Sequence, residues 1–430
     1  MSDREKFEVI VVGAGPAGST AACLLAKEGL RVLLVERGSY SGSKNITGGI
    51  IYSRTVSEVF PNFWEEAPLE RIITGYNIAL LGQGSALTMD FKASSFAKPP
   101  YNAFSVLRAK FDQWLARKAE EAGAVVVTGI TVDDIMMENG KVRGIRSGTD
   151  KVFADVVVDA EGAKSILVEK AGLRRDFNPA DVSIGVKEVV ALPEETINER
   201  FNVEKEEGAA YTLMGGTRGV IGGGFLYTNK SSLSLGIVAR IDSLMEKKVK
   251  IHELIEDYKT HPFISSLIKG GAVVEYSAQI IHERGMKGVP KLYTDGFLVA
   301  GSAGCLLINN LFTLRGMDLA ITSGAAAAKT IIKAKERGDF SASSLSAYES
   351  LLRENYILKD METFKKVPDL MDNERFFTVY PDLACALMES LFGVDPPPRM
   401  KASRLLREHM KGKVGLFNAL KDFIGVYRAL

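Results

Sequence analysis

The 430-residue chain is poor in cysteine: Cys23, Cys305 and Cys385 stand far apart and form no CxxC pair. A zinc ribbon is thereby excluded, as is an iron–sulfur cluster held by four thiolates of this chain. The odd, sparse count suits a reducing compartment. Long apolar runs are also missing. The most apolar window, 296–312, is broken by Ser302, Asn309 and Asn310, short of the roughly 20 apolar residues of a transmembrane helix. The N-terminus passes from charged residues into a strand-like segment with no signal-peptide pattern. Net charge is only +1, which gives no global case for nucleic-acid binding. The four histidines, His252, His261, His282 and His409, have no HExxH spacing and no GxSxG context, so neither a metal site nor side-chain catalysis is expected. What is present, 46% hydrophobic and 25% charged residues, is the composition of a globular protein with a large core and two or three domains.

The first positive signal lies at the start. Phe7 to Val12 reads as a buried strand, Pro16 to Glu28 as a helix ended by Gly29, and Arg31 to Val35 as a second strand. Gly13-Ala14-Gly15-Pro16-Ala17-Gly18 between them is G-x-G-x-x-G, and Glu36 ends the second strand. Gly13 allows a tight turn, Gly15 lets backbone approach a pyrophosphate at the helix N-terminus, and Gly18 permits close helix–strand packing. Glu36 can accept hydrogen bonds from ribose hydroxyls and disfavours a 2′-phosphate, hence NADP. The motif alone leaves FAD and NAD open.

Further along, Arg108 to Ala122 reads as an amphipathic helix, and Glu138-Asn139-Gly140-Lys141 as a hairpin turn before a buried strand, Val152 to Asp159. Residues 181–290 are β-branched, aromatic and partly alternating, which predicts an antiparallel sheet. Leu292 to Ala300 returns to a buried strand, Met317 to Lys335 is an Ala-rich helix, and the chain beyond Ser343 is helical and increasingly basic. Pro396-Pro397-Pro398 marks a boundary. Residues 391–430 carry eight basic and three acidic residues. Within them Leu416, Phe417, Leu420, Phe423, Ile424 and Tyr427 recur on one helical face, predicting a basic amphipathic helix suited to a lipid interface or a partner.

From residue 7 to about 360 the chain resembles FAD-dependent oxidoreductases of the p-hydroxybenzoate-hydroxylase-like superfamily, and within it the FixC / electron-transfer-flavoprotein:quinone oxidoreductase branch. Glu36-Arg37-Gly38 and Gly42-Ser43-Lys44-Asn45-Ile46-Thr47-Gly48-Gly49 are similar to the segment running from the adenosine ribose to the flavin. Glu66-Ala67-Pro68-Leu69-Glu70 also matches the branch. Leu107-Arg108-Ala109-Lys110-Phe111-Asp112 resembles the helix start whose arginine faces FAD. Asp159-Ala160-Glu161-Gly162-Ala163-Lys164-Ser165 is similar to ADGAxS, with Glu161 in place of Asp. Val299-Ala300-Gly301-Ser302-Ala303-Gly304 stands where most relatives carry GDAAG, so Ser302 replaces the aspartate that bonds the ribityl chain. Leu314-Arg315-Gly316-Met317-Asp318-Leu319-Ala320 is close to the FixC pattern.

The resemblance implies an α/β fold. Its parts would be a Rossmann-like FAD-binding domain of the p-hydroxybenzoate hydroxylase / glutathione reductase type (1–75, 101–180 and 291–345), a β-rich quinone/substrate domain (76–100 and 181–290) and a helical C-terminal region (346–430). It implies FAD held by Gly13, Gly15, Pro16, Ala17, Gly18, Glu36, Arg37, Lys44, Asn45, Gly48, Gly49, Arg108, Glu161, Gly162, Gly301, Ser302, Gly316 and Met317. Gly222-Gly223-Gly224-Phe225-Leu226-Tyr227 looks like the branch's GGxFLY strand, which would put Gly223, Gly224, Phe225 and Tyr227 near a quinone head group. Because this chain lacks the four cysteines of the quinone-oxidoreductase relatives, it falls on the FixC-like side. The implied partners are then a two-subunit electron-transfer flavoprotein, a small ferredoxin-like iron–sulfur subunit, a quinone and the cytoplasmic surface of the cell membrane, with no nucleic acid. The implied activity is quinone reduction within an electron-bifurcating complex that draws on NADH. Reduction of isoprenoid double bonds, as in geranylgeranyl-reductase-like relatives, is the second reading.

Overall fold

The apolar run Lys6–Val12 is the centre of a parallel sheet, flanked by Val32–Glu36 and Asp150–Asp159. Runs this continuously apolar must be covered on both faces, which is the usual state of parallel strands. In the computed structural model, which describes residues 6–44, 48–175, 177–394 and 399–430, Val125–Thr128 and Phe297–Val299 extend the sheet on either side. The hairpin Asp134–Glu138 and Lys141–Ser147 turns at Asn139 and Gly140, both at positive φ as a primed two-residue turn requires.

The helix Pro16–Lys27 packs between this sheet and the helix Met317–Arg337, and glycines set the spacing. A Cβ on Gly18 would stand 1.9 Å from the Gly13 carbonyl oxygen, and one on Gly324 would stand 2.2 Å from that of Ala17. A Cβ on Gly301, at φ +63°, would stand 2.9 Å from the Ala17 Cβ. Segments about 300 residues apart in sequence therefore meet backbone to backbone at the first turn of one helix.

A second, nine-stranded sheet runs in the order Ala272–His282, Val182–Ala191, Ser232–Arg240, Gly222–Thr228, Glu207–Gly215, Leu69–Leu81, Ala103–Leu107, Gly48–Tyr52, with Ala86–Lys92 paired to the far end of Leu69–Leu81. It is antiparallel except where Glu207–Gly215 lies parallel to Leu69–Leu81. Gly48–Tyr52, Ala103–Leu107 and the start of Leu69–Leu81 were expected in the nucleotide-binding unit. They pair into the second sheet, because one strand continues unbroken from residue 69 to 81. Ile51, Phe104 and Val106 nevertheless bury their side chains in the core of the first sheet, so these strands join the two halves. Between 241 and 268 the chain is helical rather than β, in Ile241–Lys247, Ile251–Thr260 and Pro262–Ile268. Leu254, Ile255 and Tyr258 lie at helical spacing and cover the face made by Leu213, Leu226, Leu235 and Ile237.

Arg71, 1% exposed, ties the start of Leu69–Leu81 to the neighbouring turns of the second half. Its Nε donates to the Asn229 carbonyl at 2.7 Å, and Nη1 donates to Asn198 Oδ1 at 2.7 Å and to the Glu207 carbonyl at 2.8 Å.

The C-terminal region is helical. Its last helix, Leu416–Ala429, docks by its polar side. Buried Asp422 accepts two bonds of 2.7 Å from Arg375 and one from Tyr380, which holds its carboxyl down at about 2. The opposite side leaves Phe417, Phe423 and Tyr427 exposed at 80%, 71% and 81%. Among the described residues no helix is long and apolar enough to cross a membrane.

Substituting Gly324→Ala should lower the thermal midpoint, with a cost of about 1–3 kcal/mol from overpacking against Ala17. Differential scanning fluorimetry checks this, and an unchanged midpoint would show that the helix contact is not tight.

Candidate functional site

The Lys6–Val12 strand delivers the chain into Gly13, at φ +101°, whose Cβ position lies 2.3 Å from the Ala160 carbonyl oxygen. Only glycine fits there. The next glycine differs: a Cβ on Gly15 would meet nothing nearer than Arg108 Nη2 at 3.9 Å. Gly15 therefore faces open space, at the N-terminus of a helix that no side chain caps. Free amides, a positive helix end and a guanidinium converge on that space, which fits a pyrophosphate. Glu36 holds the loop from the side. Its Oε2 accepts from the Ala14 amide at 2.9 Å and its Oε1 from the Gly38 amide at 2.7 Å, and each oxygen retains a lone pair for a ribose hydroxyl.

Arg108 is set by Asp112, which takes its Nε and Nη2 at 2.6 Å each. Burial raises the Asp112 carboxyl against the pull of Arg108. Gly42 lets the 38–44 loop close on this helix, since a Cβ there would stand 2.7 Å from the Arg108 carbonyl oxygen. Lys44 is exposed, and Asn45 lies outside the described residues. Gly48 and Gly49 enter the second sheet, where a Cβ on Gly49 would stand 3.0 Å from Met317 Cε. Gly316 precedes the helix that Met317 opens. Ser302 lies in a short turn, where its carbonyl accepts from the Cys305 amide at 3.1 Å.

Glu161 accepts from Ser165 Oγ at 3.0 Å and from the amides of Ile166 and Leu167 at 3.1 Å each, so the longer acid ties down the turn that follows Gly162. Arg37 acts on Glu161 electrostatically, which places the two near one another. Asp159, fully buried, shares the Ser165 hydroxyl at 2.5 Å. Burial, and then the charge of Glu161, hold the Asp159 carboxyl well above the usual carboxylate range.

The second sheet supplies the other wall. Phe225 and Tyr227 share one face, with rings stacked at 4.8 Å and 18°. Gly236, opposite Phe225, makes room for that ring, since a Cβ there would stand 2.3 Å from Phe225 Cζ. Lys187 is next in the row, opposite Gly236. Burial, and then Arg108, push the Lys187 amine down to about 8. Gly223 lies on the same face as Phe225. Gly224 lies on the other, where its missing side chain admits Tyr258, whose hydroxyl donates to the Gly215 carbonyl at 2.7 Å. The four residues expected around a quinone thus divide between the faces, with Gly223, Phe225 and Tyr227 on the one away from the helices and Gly224 on the helix-covered one. Tyr52 and Tyr76 continue the aromatic wall with Tyr227. Arg315 lies over the Tyr52 ring at 5.6 Å and donates to Asp318 Oδ2 at 2.9 and 2.5 Å.

Lys187, Tyr52, Tyr76 and Asp112 were not singled out from the sequence. A lysine inside the apolar run Val182–Ala191 was a signal available there, and Tyr52 directly follows the Gly48–Ile51 stretch.

Residues 8–198 match the family model described as FAD dependent oxidoreductase, 182–281 that described as ETF-QO, ubiquinone-binding, and 367–430 that described as ETF-QO/FixC family C-terminal domain. The chain is 44% identical to Protein FixC of Escherichia coli (strain K12) over 418 residues, 97% of each chain. The chain belongs to the ETF-QO/FixC family. It is also 44% identical over 425 residues, 99% of each chain, to a protein of the same strain named as probable electron transfer flavoprotein-quinone oxidoreductase YdiS. Protein FixC of Azotobacter vinelandii is 37% identical over 430 residues, 99% of each chain. Among solved structures, a geranylgeranyl bacteriochlorophyll reductase-like protein from Thermoplasma acidophilum superposes with a TM-score of 0.72 at 22% identity, covering 98% of this chain and 100% of its own. A myxobacterial chondrochloren halogenase gives 0.67 at 20%, covering 95% and 97%. At that identity both share the fold alone. This member of the ETF-QO/FixC family is an FAD-dependent oxidoreductase, and the choice between FAD and NAD left by the glycine motif falls to FAD.

Because Asp159 binds its proton more tightly folded than unfolded, its contribution to stability is present at low pH. It is lost as pH rises from about 4 toward neutrality. Asp159→Asn should flatten that decline in thermal midpoint measured across this range, whereas parallel profiles would remove Asp159 as its source.

Proposed function

We propose that this protein takes electrons from a two-subunit electron-transfer flavoprotein, ultimately from NADH, and reduces a membrane quinone. The observation that carries this reading is the row Phe225–Gly236–Lys187, which runs from an apolar wall to the electrostatic reach of Arg108, the guanidinium beside the open space at Gly15. The segment matched by the ubiquinone-binding family model contains Lys187, whose amine feels the charge of Arg108 beside the glycine motif, which supports this reading. FAD, when bound, supplies the redox chemistry. Around it, the amides following Gly15 take the pyrophosphate, Glu36 the ribose, and Arg108, held by Asp112, contributes fixed positive charge. Arg37, Gly162, Gly301, Ser302, Gly316 and Met317 line the path between. Gly223, Phe225 and Tyr227 form the acceptor wall, with apolar rings for the quinone and exposed backbone at Gly223 for its oxygens.

The iron–sulfur centre of such a system resides on a separate ferredoxin-like subunit, within a complex that divides electrons between ferredoxin and quinone. Three buried, unpaired cysteines cannot ligate a four-thiolate cluster, which supports that division. The exposed apolar side of Leu416–Ala429, with Lys411, Lys413, Lys421 and Arg428 near it in sequence, fits peripheral attachment to the cytoplasmic membrane surface, where quinones reside.

Two experiments test these statements. Flavin reduced photochemically in the FAD-loaded protein should be reoxidised by a short-chain quinone. A flavin inert to quinones but reoxidised by an isoprenoid lipid would favour double-bond reduction instead. Phe417→Asp with Phe423→Asp should reduce flotation with anionic liposomes by roughly tenfold or more, given about 1.5–3 kcal/mol per buried large side chain. Undiminished flotation would assign the exposed helix face to a protein partner.

A further inference from the structure

The helices Ala402–Met410 and Leu416–Ala429 are joined by a corner that turns at Gly412, φ +77°. Met410 and Val414, on either side of that glycine, bury against Leu383 and fix the corner to the body. Their polar neighbours Arg407, Lys411 and Lys413 are left exposed. Together with Arg375 and Leu416 these three line a groove of about 550 Å³, and every charged residue in its lining is a cation.

Arg375 is set in the groove by buried Asp422, which accepts from its Nε and Nη2 at 2.7 Å each and offsets its charge. The net charge therefore comes from Arg407, Lys411 and Lys413. Among the described residues none of the three is held in an ion pair, and Lys413 acts on the Asp382 carboxyl only at longer range. Three unneutralised cations around one groove make a positive potential that draws in an anion. Guanidinium and ammonium groups are apt partners for phosphate in particular.

The groove also has an apolar rim. Leu416, which lines it, is 63% exposed, and Phe417 beside it is 80% exposed. The exposed aromatic side of the last helix thus begins where the cationic groove ends. A free phosphate would use the charges and leave that side in water. A phospholipid uses both, because its phosphate stands at the end of apolar chains. We infer that this groove binds the headgroup of an anionic phospholipid, with Leu416 and Phe417 entering the apolar layer next to it; this rests on the membrane reading above. The aromatic side supplies depth, and the groove selects the lipid.

The test uses the FAD-loaded protein and co-sedimentation with vesicles of phosphatidylcholine, alone or mixed with phosphatidylglycerol. Wild type should partition about tenfold or more in favour of the mixed vesicles, and the preference should shrink as salt is raised. The variant Arg407→Gln/Lys411→Gln/Lys413→Gln should lose most of that preference, with thermal midpoint, FAD content and binding to phosphatidylcholine unchanged. Lys205→Gln/Lys248→Gln/Lys269→Gln removes three exposed lysines elsewhere and should keep the preference. Equal loss in both triple variants would assign the effect to overall charge and overturn the inference. So would wild type that binds inorganic phosphate in calorimetry as tightly as it binds the mixed vesicles, since the ligand would then be a free anion. Wild type that binds both vesicles equally overturns the headgroup site and leaves the membrane reading standing. Wild type that sediments with neither ends the membrane reading and the inference with it.

Discussion

Everything in this molecule is registered to the first turn of one helix, and that turn is held by atoms that are missing. Gly13 is pressed against the Ala160 carbonyl, Gly18 against the Gly13 carbonyl, and Gly301 and Gly324 against Ala17. Four stretches of chain converge where no side chain can intervene. The contact cannot loosen without opening a gap in the core, because a close-packed interior has no compliant filler. The free amides beyond Gly15 stay aimed at open space because the helix carrying them is clamped from both sides.

The same device recurs in the second sheet with the opposite purpose on each face. At Gly224 a missing Cβ lets Tyr258 sink onto the strand and seals the helix-covered side. At Gly236, one strand over, a missing Cβ lets the Phe225 ring lie down and stack on Tyr227, which lines the cleft side. Alternation along a strand assigns neighbouring residues to opposite faces. One glycine-rich strand can thus pack a core and shape a cleft at once.

How much of this was legible in the sequence follows from the range of the interactions involved. The opening strand–turn–helix–strand unit, the Asn139-Gly140 turn and the amphipathic tail are local patterns, with periodicity and turn chemistry contained within a few residues. The wedge of Gly324 against Ala17 joins positions that no window contains, and nothing local marks Gly324 as different from any glycine in an Ala-rich helix. Likewise, Gly223 and Gly224 are indistinguishable as letters, and their division between cleft and core depends on where Tyr258 arrives from. Lys187 was readable as an anomaly, a charge in an apolar strand, but its proximity to Arg108 comes from the meeting of the two sheets. The expected boundary at residue 75 falls inside the strand Leu69–Leu81, which pairs with Glu207–Gly215 on both sides of it across a shift of register at Gly208 and Ala209.

The C-terminal helix reverses the usual arrangement, and the energetics show how. An amphipathic helix on a globular protein ordinarily buries its apolar stripe. Here the anchoring contact is the charge-assisted pair of Arg375 and Asp422 with Tyr380, which depends on the short, directional geometry of a bidentate guanidinium–carboxylate pair rather than on buried area. Turning the helix by half a revolution would bury Phe417, Phe423 and Tyr427, but it would expose that pair and break its three bonds. The apolar face is therefore left outward by a specific polar lock, which keeps the helix placed on the body while its aromatic side remains free to meet another surface. The second sheet and an exposed aromatic face thus belong to one molecule in which no described helix is long and apolar enough to cross a membrane.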